Sequence, residues 1–180
     1  MVEGESVYPG GIEDTTTVNV PVTQQGLCAA SRPGHFQGVA TVVTRLFNMV
    51  QPDLAVFGQK DIQQLRLVSK LARDRLLSVT SIDVPTVRET DGLALSSRNQ
   101  YLDTGQRRAA PQLYRALQNV LQQIRNTPGE HAKICAQAMT DLAAAGFVPE
   151  YLELRNAADL LPPGALHGPL VLLVAARLGT

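Results

Sequence analysis

Apolar residues in the first half of the chain alternate between helical and strand-like spacing. From His35 to Val50 they recur every three or four positions, which predicts a helix with one buried face. The continuous apolar run from Leu54 to Phe57 predicts a short strand buried on both faces. A second helix is predicted from Ile62 to about Leu76, and a second strand from Val79 to Val84. This order predicts a parallel sheet with crossover helices.

The second half of the chain has a different pattern. Asp103 and Thr104 offer N-caps for one long helix to about Asn126, and an Ala-rich helix is predicted from Glu130 to Ala145. Two strands are predicted to close the chain, at 151–155 and 170–176. Helices followed by neighbouring strands are typical of an α+β unit, so we place a domain boundary near Pro85.

The first 31 residues are predicted to be rich in loops, because turn-forming residues interrupt them. A β-branched run from Thr15 to Val20 has the character of a strand. We expect this segment to contribute little core of its own.

Charge and length restrict the classes of function. Sixteen basic and sixteen acidic residues give a formal net charge of zero, which argues against nucleic acid or an anionic membrane as a partner. Any anion-binding site must then be local. No apolar stretch reaches the ~18–20 residues of a membrane span, and the start, MVEGESVYPGG, lacks the regions of a signal peptide. We therefore expect a cytoplasmic protein.

The first candidate site follows the first predicted strand. Gly58 lets the backbone approach a phosphate, and Lys60 supplies a positive charge near the start of the next helix. In open α/β sheets, ligands bind at the carboxyl ends of strands. A structural alternative stays open, because Asp61 and Gln64 have the spacing of a capping box, which needs no ligand.

The second candidate site is DGLALSSRNQYL, residues 91–102. Arg98 can bind an oxyanion through paired N–H donors, and the hydroxyls of Ser96 and Ser97 can donate to phosphate oxygens. Such donors would stabilise negative charge that develops on a leaving phosphate. The alternative is an ordinary polar loop in which Ser96 caps a helical turn.

The third candidate is SRPGHFQGV, residues 31–39. Arg32 and His35 precede or begin a predicted helix, where positive charge is unfavourable unless an anion lies near. A solvent-facing loop whose turn is set by Pro33 and Gly34 is the alternative. We identify no metal-ligating motif, because the histidines lack ligand-like spacing.

The chain contains four segments in a specific order: SRPGHFQGV, QPDLAVFGQKDIQQL, VPTVRETDGLALSSRNQYL and YLELRNA. Each is weak alone, but together they resemble the pantothenate synthetase (pantoate–beta-alanine ligase) family. The resemblance extends from about Tyr8 to Thr180. It implies ligase activity in pantothenate biosynthesis, with ATP, pantoate and beta-alanine as substrates. Pantoate reacts with ATP to give pantoyl adenylate, which beta-alanine then attacks.

The resemblance also implies the fold. Residues 1–86 would be the second half of a Rossmann-like, nucleotidyltransferase-type parallel-sheet domain that binds ATP and pantoate. Residues 87–180 would be a small α+β C-terminal lid domain. The family further implies a homodimer.

The resemblance assigns roles to single residues. The implied ATP-binding residues are Gly58, Gln59, Lys60, Asp61, Val87, Leu95, Ser96, Ser97 and Arg98. The implied catalytic residues among them are Lys60, Ser96, Ser97 and Arg98. Gln64 matches the pantoate-binding glutamine, and Val87 the backbone position that holds adenine. Arg32 and His35 match a loop that borders the cleft. Gln59, Ile62 and Leu95 replace the usual Glu, aromatic residue and Met, but no phosphate donor is lost.

One part of the family pattern is missing from this sequence. The family's N-terminal portion, with an HxGH-type motif whose histidine acts on the ATP phosphates, does not occur in it. The ligands of Mg²⁺ are expected largely in that portion. We therefore interpret the chain as a fragment that does not form pantothenate alone. The missing strands are expected to leave a sheet edge and an apolar face exposed.

Two other functions stay open at this point. Another nucleotidyltransferase of the same fold would activate a different acceptor, which pyrophosphate exchange with pantoate against other acceptors would reveal. A non-catalytic ATP-binding or assembly fragment would bind nucleotide without turnover, which nucleotide titration would reveal.

Overall fold

The structure is a computed structural model that describes residues 4–21, 26–164 and 166–179. Its contacts divide the chain into two compact units, Met1–Thr86 and Val87–Thr180. Each unit contains a two-stranded sheet, parallel in the first and antiparallel in the second.

The first unit has the predicted order of helix, strand, helix and strand. Its elements are α1 (Gly4–Val7), α2 (Cys28–Ser31), α3 (His35–Val50), β1 (Leu54–Gly58), α4 (Ile62–Asp74) and β2 (Thr80–Val84). The strands pair in parallel, with Val56 opposite Ile82, so α4 is the crossover helix between them. The α/β prediction is confirmed.

The core of this unit lies between α3 and α4. Its buried residues are Val18, Val20, Phe36, Ala40, Leu67, Val68 and Leu71. The apolar positions of α4 recur at helical spacing, so they converge on one face that packs against α3. Leu65, Val68, Leu71 and Ala72, which share this face of α4, are all buried.

The prediction that β1 is buried on both faces is wrong. Leu54 and Val56 are 60% and 61% exposed, whereas Phe57 packs against the helical core. Side chains alternate between the faces of a strand, and α4 contacts β1 and β2 on the core side. Within the described residues, no layer covers the other face of the pair, so the expected apolar surface is exposed there.

The predicted strand from Thr15 to Val20 is also not formed. Residues 16–20 lack regular secondary structure. Val18 instead donates its backbone N–H to Oγ1 of Thr41 on α3, at 2.9 Å. Val18 and Val20 are buried against the helices. The β-branched run thus packs as an extended segment on α3, because packing decides more than intrinsic strand preference.

The second unit places helices against an antiparallel pair of strands. Its elements are α5 (Thr104–Ala109), α6 (Gln112–Asn126), α7 (His131–Ala144), β3 (Val148–Asn156) and β4 (Leu170–Arg177). Leu152 on β3 lies opposite Val174 on β4. Its core comprises Val120, Ile124, Ile134, Cys135, Ala138, Leu142, Phe147, Leu152 and Leu154.

The single long helix predicted from residue 103 is divided into α5 and α6. Pro111 is the residue before α6, and a proline inside a helix would lack the N–H that the ladder requires. The N-cap prediction is confirmed at Asp103, whose Oδ1 accepts from the Gln106 N–H at 2.8 Å. The Gln106 side chain accepts in return from the Asp103 N–H at 3.0 Å. Thr104 is the first helical residue rather than the cap.

Candidate functional site

The first predicted site lies where β1 passes into α4. A short 3₁₀ turn, Gln59–Asp61, follows Gly58 and leads directly into α4. Gln59, Lys60 and Asp61 are exposed. The carboxyl end of a parallel strand and the start of the following helix are therefore brought together, as a phosphate site requires.

The capping-box alternative at this turn is wrong. Asp61 is the residue before α4, but among the described residues its side chain makes no capping hydrogen bond. The carboxylate is therefore not occupied in closing the helix terminus. Binding of a ligand by this turn therefore stays a prediction.

Two neighbouring glutamines on α4 have different environments. Gln63 is 7% exposed; its Oε1 accepts from the Cys28 N–H at 3.1 Å, and its Nε2 donates to the Gly26 carbonyl at 3.3 Å. Gln64 is only half-buried. Gln63 thus ties α4 to Gly26 and to the start of α2, which sequence reasoning missed. The pantoate-binding role of Gln64 stays a prediction.

The predicted adenine and phosphate residues of the second unit begin in a hairpin, residues 87–95. Leu95 donates its N–H to the Val87 carbonyl at 3.0 Å, and Glu89 donates to the Leu93 carbonyl at 2.8 Å. Arg88 and Ala94 form an antiparallel bridge. The structure thus pairs Val87 with Leu95, although eight positions separate them.

The segment Ser96–Arg98 follows the hairpin directly. Ser96 Oγ accepts from the Arg98 N–H at 3.2 Å and caps the short 3₁₀ helix Ser97–Tyr101. The structural alternative for Ser96 is therefore confirmed. A hydroxyl that accepts one bond can still donate its own proton, so capping does not exclude a phosphate contact. Ser97 and Arg98 are exposed.

Arg107 on α5 connects to the hairpin through two carboxylates. Its Nη1 lies 2.6 Å from Asp91 Oδ2, and its Nη2 lies 2.6 Å from Glu89 Oε2. The hydrogen bond from Arg107, then the one from the Leu93 N–H, holds the pKa of Asp91 below its ordinary value. Sequence reasoning missed Arg107, because the pairing depends on a hairpin that brings distant positions together.

The tip of the hairpin also packs on α6. The Arg88 guanidinium carbon lies 3.8 Å from the ring centroid of Tyr114, which is a cation–π contact. Gly92 has φ +96°, and a Cβ there would lie 2.7 Å from Cδ1 of Tyr114. Only glycine fits this position without strain, so the hairpin is held by its shape as well as by its charges.

We expect the ion pair to be visible as an acid titration. Because the pKa of Asp91 is lowered on folding, its stabilising contribution is present above the unfolded pKa and is lost as pH falls through the folded pKa. The Leu93 N–H donates to Asp91 Oδ1 at 3.1 Å, so its NMR shift reports the titration. The midpoint should lie below 3.8, the ordinary value. In Arg107→Ala it should rise towards that value; equal midpoints in both chains would contradict the assignment.

The third predicted group lies at the start of α3. His35 begins the helix after Gly34, which has φ +78°. The His35 ring contacts that of Phe36, with centroids 5.1 Å apart. Arg32 and His35 are both exposed. Their role beside a cleft stays a prediction.

The described side chains do not form a complete metal site. Among them, no group of three or more His, Cys, Asp or Glu residues is placed to hold a metal ion. Mg²⁺ usually takes carboxylates together with substrate phosphates and water. The residues of this structure therefore do not fit a Mg²⁺ site by themselves.

A groove of about 270 Å³ lies between α6 and α7 in the second unit. Arg115 and Asp141 are among the residues that line it, but the predicted site residues are not. It is open to solvent, and its charged groups offer no phosphate-binding constellation. We therefore assign the site by its chemistry rather than by its concavity. In the part of the chain that the structure describes, helices long and apolar enough to cross a membrane are lacking.

Comparison with known proteins supports the sequence resemblance. The model of the family Pantoate-beta-alanine ligase matches residues 3–180. The pantothenate synthetase of Pseudomonas fluorescens is 54% identical over 175 residues, which cover 97% of this chain and 61% of that protein. That of Azotobacter vinelandii is 52% identical over 177 residues, 97% of this chain and 62% of the relative.

Solved structures give the same result. Pantothenate synthetase from Thermus thermophilus matches with TM-score 0.85 and 43% identity, over 97% of this chain and 63% of that one. A Francisella tularensis pantoate-beta-alanine ligase, described as complexed with beta-gamma ATP and beta-alanine, matches with TM-score 0.69 and 25% identity, over 97% and 61%.

The match covers almost all of this chain but only part of each relative. The chain spans about three fifths of the curated relatives, 61% in the case of the Pseudomonas fluorescens protein. The family model nevertheless covers almost all of this chain, including both turns that carry the candidate phosphate-binding residues. The chain belongs to the pantoate-beta-alanine ligase family.

Proposed function

We propose that this chain contributes phosphate-binding and pantoate-binding groups to the ATP-dependent condensation of pantoate with beta-alanine. In the first step the pantoate carboxylate attacks the α-phosphorus of ATP, and pyrophosphate leaves. In the second step the amine of beta-alanine attacks the acyl carbon of pantoyl adenylate, and AMP leaves with the former carboxylate oxygen. Both steps develop negative charge on phosphate groups, which fixed cations and N–H donors stabilise.

The observation that carries this proposal is the turn at the end of β1. Gly58 and the exposed Lys60 stand at a helix start, and Asp61 is not used as a side-chain cap. The turn lies within the stretch matched by the family model. We assign Gly58, Gln59, Lys60 and Asp61 to ATP binding, and the half-buried Gln64 to pantoate.

The second unit carries the other proposed ATP-binding group. Val87 offers backbone atoms for adenine, since its carbonyl accepts one bond from Leu95 and has a second lone pair. Ser96, Ser97 and Arg98 would bind phosphate oxygens, with Leu95 beside them. The Francisella tularensis structure, described with an ATP form and beta-alanine, supports the same substrates here.

Several finer assignments belong to the same proposal. A Rossmann-like, nucleotidyltransferase-type arrangement of the first unit agrees with its parallel pair and crossover helix. The second unit, 87–180, would act as a lid over the nucleotide, and Arg32 and His35 would border the cleft. We also propose a homodimer in the cytoplasm, and Mg²⁺ with ligands largely in the N-terminal portion of the family.

The chain by itself is not expected to catalyse pyrophosphate release or pantothenate formation. The experiment compares the purified 180-residue chain with the same chain mixed with a polypeptide spanning the rest of the Pseudomonas fluorescens relative. Pyrophosphate release that requires both ATP and pantoate is measured first, and pantothenate formation after beta-alanine is added. We expect release only in the mixture, because the histidine motif that acts on the ATP phosphates is supplied there.

Two results would contradict the proposal in different ways. Sustained pantoate-dependent release by the chain alone would show that the chain is sufficient without the HxGH portion. A mixture that associates, as seen by size-exclusion chromatography, yet releases no pyrophosphate with pantoate would argue against the ligase function. Release with a different acceptor would favour another nucleotidyltransferase.

A non-catalytic binding role is the second candidate, and the exposed sheet face favours it. Leu54 and Val56 place apolar surface in solvent, which is typical of a surface that another polypeptide covers. Such a chain would bind ATP and associate with the complementary polypeptide without turnover. Titration with ATP, alone and in the mixture, separates this role from catalysis.

A further inference from the structure

We propose that Arg107 is a positioning residue for the phosphate-binding segment Ser96–Arg98. It touches neither nucleotide nor substrate in this proposal; it acts by holding the hairpin at 87–95 against α5. The consequence for ATP rests on the proposed function, whereas the positioning itself does not.

Arg107 holds the hairpin through two carboxylates. One guanidinium binds Glu89 and Asp91, both at 2.6 Å. These two carboxylates flank the tip of the hairpin, where the Gly92 N–H donates to the Glu89 carbonyl at 2.9 Å. The planar fork of arginine suits two acceptors at once, so it fixes the direction of the tip as well as its distance.

The segment Ser96–Arg98 lies between two fixed points of the chain. Upstream, Leu95 is bonded to Val87 within the hairpin. Downstream, Asp103 starts α5 with a reciprocal capping box. Arg107 joins these two points and closes the intervening segment into a loop. Closing a loop reduces the conformations that the segment can adopt.

Two hydrogen bonds link this loop to Ser96 and Arg98. The Asn99 side chain donates to the Ala94 carbonyl at 3.0 Å, and the Ser96 hydroxyl accepts from the Arg98 N–H at 3.2 Å. The segment is thus bonded back to the last residues of the hairpin. A hairpin that moved relative to α5 would carry Ser96 and Arg98 with it, and pre-organised donors would be lost.

Isolated ion pairs on a surface contribute little to stability, but several charges that form a network can contribute more. The side chains of Arg107, Glu89 and Asp91 are 35%, 33% and 32% exposed, and the three form one network. The neighbouring Arg108 has the same charge on the same helix but is exposed. Arg108 is therefore a matched control.

The test measures amide hydrogen exchange in the 180-residue chain. In Arg107→Ala, the amides of Leu95 and Asn99 should exchange roughly tenfold faster, because local opening of the hairpin becomes easier. Amides of β3, such as that of Leu152, should keep their rates. Arg108→Ala should leave all of these amides unchanged.

Two outcomes would overturn the proposal. Equal rates at Leu95 in Arg107→Ala and Arg108→Ala would show that the ion pairs do not hold the hairpin. Equal acceleration at Leu152 would show that Arg107 stabilises the whole unit instead. If Arg107→Ala fails to fold, Glu89→Gln combined with Asp91→Asn removes the same ion pairs and should give the same pattern. Arg107→Lys should recover part of the protection, since one ammonium cannot hold both carboxylates in the same geometry.

A binding measurement extends the test to the nucleotide. By calorimetry, Arg107→Ala should weaken ATP binding roughly three- to tenfold and leave adenosine binding unchanged, because only phosphate contacts depend on the loop. An equal loss for adenosine would contradict the positioning role. If the wild-type chain binds neither ligand, ATP binding by this chain fails as part of the proposed function, and the exchange rates at Leu95 still decide the role of Arg107.

Discussion

Alanine at Lys60 or at Arg98 is expected to slow adenylate formation by about 10²–10³-fold, which is typical for the loss of one donor to a developing oxyanion. Both side chains are exposed, so neither substitution should create a cavity or leave a buried charge. The loss should appear in the turnover number rather than in the KM for beta-alanine, because these cations act on the charge of the transition state.

The measurement is pyrophosphate release by the chain mixed with the complementary portion of the Pseudomonas fluorescens relative. Lys70→Ala and Arg108→Ala are the matched controls. Lys70 Nζ lies 2.6 Å from Asp74 Oδ2, so this lysine is used in a surface ion pair on α4. Both controls should keep activity within about twofold, as surface changes usually do. Unchanged adenylation in Lys60→Ala or Arg98→Ala would remove that residue from the proposed phosphate site.

Patterns that are contiguous in the sequence allowed α3, α4 and the first candidate turn to be predicted. The helix from His35 to Val50 has the predicted bounds, since its own spacing of apolar residues specifies a buried face. The turn at Gly58–Asp61 followed from a strand end beside a helix start, which is also local. What the pattern could not decide was that Gln63 is buried and Gln64 only half-buried, because the burial of Gln63 depends on its contacts with Gly26 and Cys28.

Errors arose where a structure depends on distant parts of the chain. A run of apolar residues predicts that β1 is buried, but whether both faces are covered depends on layers that the run does not encode. The ion pairs of Arg107 span up to 18 positions, and Arg108 beside it carries the same charge. Only the fold of the hairpin distinguishes the two arginines. The division of the long helix at Pro111, by contrast, was visible in the sequence and was missed.

Leu67 is fully buried in the cluster between α3 and α4. Leu67→Ala is therefore expected to lower the free energy of unfolding of the first unit by about 2–5 kcal/mol, through lost apolar burial and the cavity left behind. Because the chain has two units, unfolding in urea should be followed by NMR signals assigned to each unit rather than by one global signal.

Leu76→Ala is the matched control for this substitution. Leu76 lies just beyond α4, is 90% exposed and has φ +53°. Alanine has the same Cβ constraint as leucine at that φ, so the change should stay within about 0.5 kcal/mol. The loss in Leu67→Ala should be confined to the first unit, because that core includes only residues before Thr86. An equal loss in both variants would mean that burial of Leu67 between α3 and α4 does not stabilise the first unit more than an exposed leucine does.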